Sequence, residues 1–371
     1  MMIPFVDLSA QYQAIKPEID NAISSVIADN AFIGTGKNKY IQAFESGFNS
    51  YIGINHTIAC ANGTDAIEIA LQALGVGPGD EVLVPAMSWI ASSEAISTCG
   101  GTPIFVDINS STGVLDETKI EAAITNKTKG IVVVHLYGNP CEMDEIMAIA
   151  NNRGLFVLED CAQAHGATYK GKTVGTFGTV STYSYYPGKN LGAYGDAGSI
   201  ITNDDDLAQL CRVIANHGQL GQKHNHISEG RNSRMDGIQA AILSVKLKYI
   251  RDWTKLRQEK AAYYREHINH TDVKCLELPE YSASAYHLFV IKSSRRAELI
   301  SALSENKIAY GIHYPVSLPL LKPYAGNANI NELANRFPVA SEFQNQILSL
   351  PLYPEITKQA QDEVIKTISS L

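Results

Sequence analysis

Lys189 stands where a strand-like run meets a glycine-rich loop. Thr179 to Tyr185 alternates as a half-buried strand does, and glycines occupy positions 188, 192, 195 and 198 around and beyond the lysine. Such spacing lets backbone pass close to a bulky, planar group. A lysine held there loses part of its solvation, which lowers the amine pKa, and a neutral amine attacks carbonyls. Taken alone, the stretch equally fits a surface lysine on a flexible loop. Three further positions bear on it. Asp160 closes the apolar run 155–158 after Glu159. Trp89 lies four residues past the apolar run 81–85. Gly63 and Thr64 sit where the run 59–61 turns into a helix, and free N–H groups with the helix dipole attract anions there. That start reads equally as an ordinary helix capped by Thr64 or Asp65.

As a set, these parts describe a cradle suited to pyridoxal 5'-phosphate. The phosphate would rest on the helix start at Gly63-Thr64 and the ring on the indole of Trp89. The ring nitrogen would be kept protonated by Asp160, making the ring an electron sink, and Lys189 would take the aldehyde carbon. A Walker loop is excluded, because G-x-x-x-x-G-K-[ST] fails around Gly188-Lys189, where position 183 is Tyr and 190 is Asn.

Positioning these groups requires an alternating α/β frame. Gln11 to Asn30 reads as an amphipathic helix, broken by Phe32 to Gly36 and followed by a helix over 38–51. A helix from the Gly63 turn runs to about Leu74. Strands then fall at 81–85, 102–108, 130–136, 155–158 and 198–202. Helices fall at 90–99, 116–124, 143–151 and 204–216. Strands this apolar, separated by helices, predict a mostly parallel sheet covered on both faces, with ligands at the strands' carboxyl ends. A polar loop, 217–230, carries His224 and His226 but no Cys or carboxylate pattern for a metal. One long helix over 234–267, with a bend at Trp253, leads to a smaller α/β region. There strands are expected at 286–292 and 308–314, and helices at 295–306, 339–348 and 359–369. The division expected is 1–249 and 250–371.

The chain has 371 residues, 45% hydrophobic and 18% charged, with net charge −8. That balance argues against a general binder of nucleic acid or acidic membrane. Six scattered cysteines contain no C-x-x-C pair. Neither a basic leader nor the about 18 consecutive apolar residues of a membrane span is present, so a soluble, cytoplasmic protein is expected.

Several longer segments then carry a resemblance. They are Ala61-Asn62-Gly63-Thr64-Asp65-Ala66, His135-Leu136-Tyr137-Gly138, the run Glu159 to Ala167, the run Tyr186 to Asp196, and the run Asn232 to Leu243. Together they resemble the DegT/DnrJ/EryC1/StrS sugar aminotransferases, within the fold-type I enzymes that use pyridoxal phosphate, over nearly the whole chain. The resemblance implies a Schiff base on Lys189, pairing of Asp160 with the pyridine nitrogen and a hydrogen bond from Gln163 to the 3'-hydroxyl. It implies stacking of Trp89, and phosphate binding by Gly63, Thr64 and Ser184. It implies that Asn232 reaches the phosphate from a neighbouring subunit of a homodimer, and that Tyr186, Arg234, His313 and Tyr314 line the substrate pocket. Gln163 also reads as a turn cap, Trp89 as a core anchor and His313 as a buried strand residue.

The reaction so implied moves nitrogen from L-glutamate, released as 2-oxoglutarate, to a keto group of a dTDP- or UDP-linked deoxy-sugar. The run Tyr-Pro-Gly-Lys-Asn-Leu-Gly-Ala-Tyr-Gly-Asp resembles members acting at C3 rather than C4. A dehydratase of the same family would carry His in place of Lys189. A nicotinamide oxidoreductase would need G-x-G-x-x-G after the first strand, which is absent. A non-catalytic regulator would not need the Lys189 and Asp160 pair.

Overall fold

The structure is a computed structural model that describes residues 2–34 and 38–371. Its frame is a seven-stranded sheet. The strands are β1 (His56–Cys60), β2 (Glu81–Pro85), β3 (Thr102–Val106), β4 (Thr128–Val134) and β5 (Phe156–Asp160). After a short hairpin, β6 (Thr168–Tyr169) and β7 (Lys172–Thr173), come β8 (Val180–Ser184) and β9 (Gly198–Thr202). The order is β1-β9-β8-β5-β4-β2-β3. All neighbours pair in parallel except β9, which runs antiparallel to both β1 and β8. Crossover helices explain the pattern. Each parallel return needs a helix on a face, so the middle strands are buried on both sides and carry runs such as Ile131-Val132-Val133, all fully buried.

This topology places the carboxyl ends of β1, β2, β4, β5 and β8 along one edge of the sheet. Cys60, Pro85, Val134, Asp160 and Ser184 therefore end at the same edge, and the loops beyond them can share one ligand. The helix Gly63–Ala73 starts there directly after β1.

A second apolar core, built around Tyr264, Phe289, Leu299, Leu348 and Ile368, gathers the later chain. It packs on an antiparallel sheet of β10 (Val273–Cys275), β12 (Phe289–Ser293) and β13 (Ile347–Leu350), while β11 (Ser282–Ala283) pairs with β6.

Several sequence expectations shift. The long helix over 234–267 is two helices, Gly237–Leu247 and Ile250–His267. The break lies at Lys248 and Tyr249, where the N–H groups reach back only three residues and the turn tightens. Trp253 does not mark a bend: it is buried and stacks on Tyr249 with ring centroids 5.8 Å apart. The segment 308–314 forms isolated bridges, Ile308 to Ile3 and Gly311 to Ser349, instead of a strand. The helix expected over 339–348 ends at Gln346, and Ile347–Leu350 becomes β13. A short run that is apolar throughout reads the same as helix or strand until its partner is known. The strand expected from Tyr286 starts at Phe289, because Tyr286 has φ +43°, away from extended backbone. The Thr35-Gly36 part of the expected helix break lies outside the described residues. Among the described residues no helix is long and apolar enough to cross a membrane.

Candidate active site

The loops at the sheet edge enclose a cavity of about 870 Å³ that contains both Lys189 and Asp160. That volume suits a small-molecule site. Lys189 follows a tight turn in which its N–H donates to the Tyr186 carbonyl at 2.8 Å. The loop is closed behind it. Gly192 sits so near the Pro187 carbonyl that a Cβ would lie 2.3 Å from its oxygen, and Lys246 Nζ donates to the Gly192 carbonyl at 2.7 Å. Asn190 Nδ2 donates to the Ala285 carbonyl at 2.9 Å. The glycine spacing that marked this stretch in the sequence thus serves close backbone packing around a fixed lysine.

Burial lowers the Lys189 amine to about 8, against the opposing attraction of Asp160. A useful fraction is therefore neutral near physiological pH, as a nucleophilic amine requires. Burial raises the Asp160 carboxyl above its ordinary range, while its hydrogen bonds act the other way. Ser92 Oγ donates to Oδ2 at 2.8 Å, and the Ala162 N–H donates to Oδ1 at 3.1 Å. A buried carboxyl so oriented is suited to pair with a cationic N–H group entering the cavity.

Behind Asp160, on the opposite face of β5, Glu159 ties the loop that leads into β8. Its oxygens accept N–H groups of Gly175 (2.7 Å), Phe177 (2.8 Å) and Gly178 (2.7 Å), and its Oε2 lies 3.1 Å from His135 Nε2. Burial opposes its charge, but His135 and these donors outweigh it and hold the carboxyl below its ordinary value. His135, Glu159 and Cys161 form a buried trio within 4.8 Å. The trio is a strut: His135 Nδ1 accepts the Cys141 N–H at 3.1 Å, and the carboxylate is occupied by backbone donors.

The helix start at Gly63 is built by contact. Asn62, not Thr64 or Asp65, caps the helix Gly63–Ala73, accepting the Asp65 N–H at 2.8 Å. Its side chain reaches the third N–H, the ordinary geometry for an Asn cap. A Cβ on Gly63 would lie 2.6 Å from Ser184 Cβ, so only glycine brings the helix start against the end of β8. Thr182, in register with Asp160, lines the cavity with a buried Oγ1 that has no hydrogen-bond partner among the described residues. An amine nucleophile, a carboxylate, an anion-binding helix start and a polar atom awaiting a partner fit an aromatic aldehyde bearing a phosphate.

Gly63, Thr64, Trp89, Asp160, Gln163, Ser184, Tyr186, Lys189, His313 and Tyr314 all line this one cavity. Gln163 Oε1 accepts the Tyr137 N–H at 2.6 Å and its Nε2 donates to the Tyr314 hydroxyl at 3.2 Å. Trp89 is no core anchor. It is 57% exposed at the mouth, 5.5 Å from the Tyr314 ring, and Tyr186 is 60% exposed. His313 Nδ1 lies 2.8 Å from Ser349 Oγ, and burial lowers its pKa to about 4. Asn232 and Arg234 lie elsewhere, in a neighbouring cleft of about 410 Å³. There Arg234 Nη2 and Nε donate to Asn232 Oδ1 at 2.6 and 3.0 Å. Asp196 touches both spaces. Sequence reasoning missed Ser92, Thr182, His287 and Arg257, which also line the cavity.

Comparison with known proteins bears on this arrangement. Residues 13–369 match the DegT/DnrJ/EryC1/StrS aminotransferase family. The chain is 43% identical over 372 residues to a pleiotropic regulatory protein of Geobacillus stearothermophilus, covering 100% of this chain and 98% of that one. It is 37% identical over 369 residues to the dTDP-3-amino-3,4,6-trideoxy-alpha-D-glucose transaminase of Streptomyces venezuelae, covering 99% of this chain and 95% of that one. Among solved structures, S. venezuelae DesV in complex with a ketimine intermediate superposes with a TM-score of 0.95 at 37% identity, covering 100% of this chain and 98% of that one.

Proposed function

The chain belongs to the DegT/DnrJ/EryC1/StrS aminotransferase family, and from that premise we propose that it uses pyridoxal 5'-phosphate to move an amino group from L-glutamate to the C3 keto group of a dTDP- or UDP-linked deoxy-sugar. The observation that carries this reading is the buried, pKa-lowered Lys189 facing Asp160 in one cavity with an anion-binding helix start. Bound there, the cofactor supplies an electrophilic carbon and a ring that withdraws electrons.

The chain's own residues do the rest. Gly63, Thr64 and Ser184 would hold the phosphate, and Asp160, oriented by Ser92 and Ala162, would keep the ring nitrogen protonated. Gln163 would steady the ring's 3'-oxygen, and Trp89, at the mouth, would cover the ring. Lys189 Nζ would be the group that holds the cofactor and, when its amine is free, would take and return the proton at the donor's α-carbon. Tyr186, His313 and Tyr314 meet the sugar. The neutral state that burial imposes on His313 suits it to accept or donate one hydrogen bond without repelling Lys189.

Asn232 and Arg234 lie outside their own chain's cavity, which supports a homodimer in which they serve the partner's site. The smaller region, 250–371, is read as a second domain packed on the first, and the protein as cytoplasmic. The relative with a regulatory name gives no reason to abandon catalysis, since Lys189 and Asp160 are both present and face one cavity. The test is direct: the purified protein with pyridoxal phosphate and L-glutamate is offered 3-keto and 4-keto sugar nucleotides, and products are weighed by mass spectrometry. An amino sugar with stoichiometric 2-oxoglutarate supports the reading. Amination of the 4-keto sugar alone moves the carbon, and loss of oxygen without gain of nitrogen replaces amination with dehydration.

A further inference from the structure

Arg257 lies on the buried stripe of the helix Ile250–His267, in step with Trp253, Ala261 and Tyr264. It is only 5% exposed, yet it lines the same cavity as Lys189. Its Nη1 donates to the carbonyls of Leu352 at 2.9 Å and Tyr286 at 3.2 Å. Among the described residues, both hydrogen bonds of its guanidinium use Nη1, and no carboxylate lies within ion-pair distance. Glu355 acts on it only through space, and burial raises the carboxyl of Glu355 itself.

A guanidinium buried without a counter-charge is costly, and burial lowers this one to about 10. The two carbonyl bonds occupy one nitrogen. The rest of the fork is the geometry that recognises a carboxylate bidentately. The charge of Glu355 reaches it without forming an ion pair, and the same cavity is lined also by apolar Phe5, Val6, Leu288 and Leu352 and by His287. His287 stays uncharged, because burial first, and then Lys189 and Arg257, hold its pKa well below the ordinary value.

Two anions compete for such a group. The cofactor's phosphate has its own seat at Gly63 and Ser184. A nucleotide is too large to be enclosed where the side chain is so nearly sealed. A small carboxylate that enters and leaves the cavity once per cycle remains. We propose that Arg257 anchors a carboxylate of the amino-acid donor. The inference rests on the aminotransferase reading and adds to it the residue that selects an amino acid as donor.

The experiment uses the cofactor-loaded protein and two variants, Arg257→Met and Arg257→Lys. The visible band of the lysine-bound cofactor first reports loading. L-glutamate is then titrated against that band, the aminated sugar product is titrated separately in the reverse direction, and binding of glutarate, a dicarboxylate with no amine, is measured by calorimetry. Loss of a charge-assisted pair predicts an about ten- to hundredfold weaker glutamate and glutarate response in Arg257→Met. Arg257→Lys should recover part of it, and the sugar titration should be unchanged. Unchanged glutamate and glutarate binding in Arg257→Met overturns the proposal. So does a shift confined to the sugar, which would assign the anion to the acceptor. An equal loss in both directions with a lower melting temperature would leave Arg257 as a tie between helix and loops, again overturning it. Should Arg257→Met fail to fold, the same comparisons in Arg257→Lys decide. A wild-type protein that loads cofactor but ignores glutamate would overturn the aminotransferase reading itself, a result separable from all of these.

Discussion

Gly63 and Ser184 meet across two elements: a Cβ on Gly63 would lie 2.6 Å from Ser184 Cβ, so the first turn of one helix packs directly on the last residue of β8, at the proposed phosphate seat. Filling that gap pushes the two apart. Gly63→Ala should weaken the affinity for pyridoxal phosphate about five- to a hundredfold, an overpacking cost of about 1–3 kcal/mol falling on the seat. The protein should remain folded. Equilibrium dialysis beside a thermal melt checks this, and wild-type affinity would remove the helix start from the phosphate site.

Asp160→Asn keeps the shape and the Ser92 contact but cannot hold a ring nitrogen charged. Turnover should fall about a hundred- to a thousandfold, as when one preorganised electrostatic partner is removed, with cofactor still bound. Steady-state rates on the loaded variant measure it. Near wild-type turnover would take Asp160 out of the role.

The Lys189 amine, lowered by burial to about 8, fixes the sign of a pH effect. Only the neutral amine attacks an aldehyde, so cofactor loading should quicken as pH rises through about 8 and level off above it. An ordinary lysine would go on accelerating to about 10.4. Stopped-flow growth of the visible band from pH 6.5 to 9.5 distinguishes the two, and a rate still climbing steeply at the upper end would contradict the buried environment.

Glu159 holds three backbone N–H groups and faces His135 without touching the cavity. Glu159→Gln turns one acceptor into a donor facing those N–H groups. Stability should drop by about 1–3 kcal/mol, the cost of a buried polar group left unsatisfied. Denaturant unfolding measures it, and an unchanged midpoint would deny that the strut supports the loop before β8.

The sequence made the cradle legible because its parts are local. A lysine among glycines, an aspartate at a strand end and a glycine at a helix start each mark themselves within a few residues. The parallel frame was legible for the same reason, through apolar strands such as Ile131-Val132-Val133. What escaped depends on partners distant in sequence. Ile347–Leu350 became a strand only because β12 lies beside it. Ser92 matters because β2 and β5 bring it to Asp160, 68 residues away. Arg257 did carry a local signal, a charge on the apolar stripe between Trp253 and Tyr264, but the stripe points into a cavity only once Leu352 and His287 have closed it. Asn232 and Arg234 form one cluster, yet a single chain keeps them out of the cavity.

Lys246 gives the most direct control for the central claim. It too is a buried lysine with a lowered pKa, about 7, but it bonds the Gly192 carbonyl and does not line the cavity. The protein is loaded with pyridoxal phosphate, reduced with borohydride, digested and examined by mass spectrometry. The account predicts a pyridoxyl group on the peptide carrying Lys189 and none on that carrying Lys246. Label on Lys246 or another lysine, or no label after loading, would contradict it.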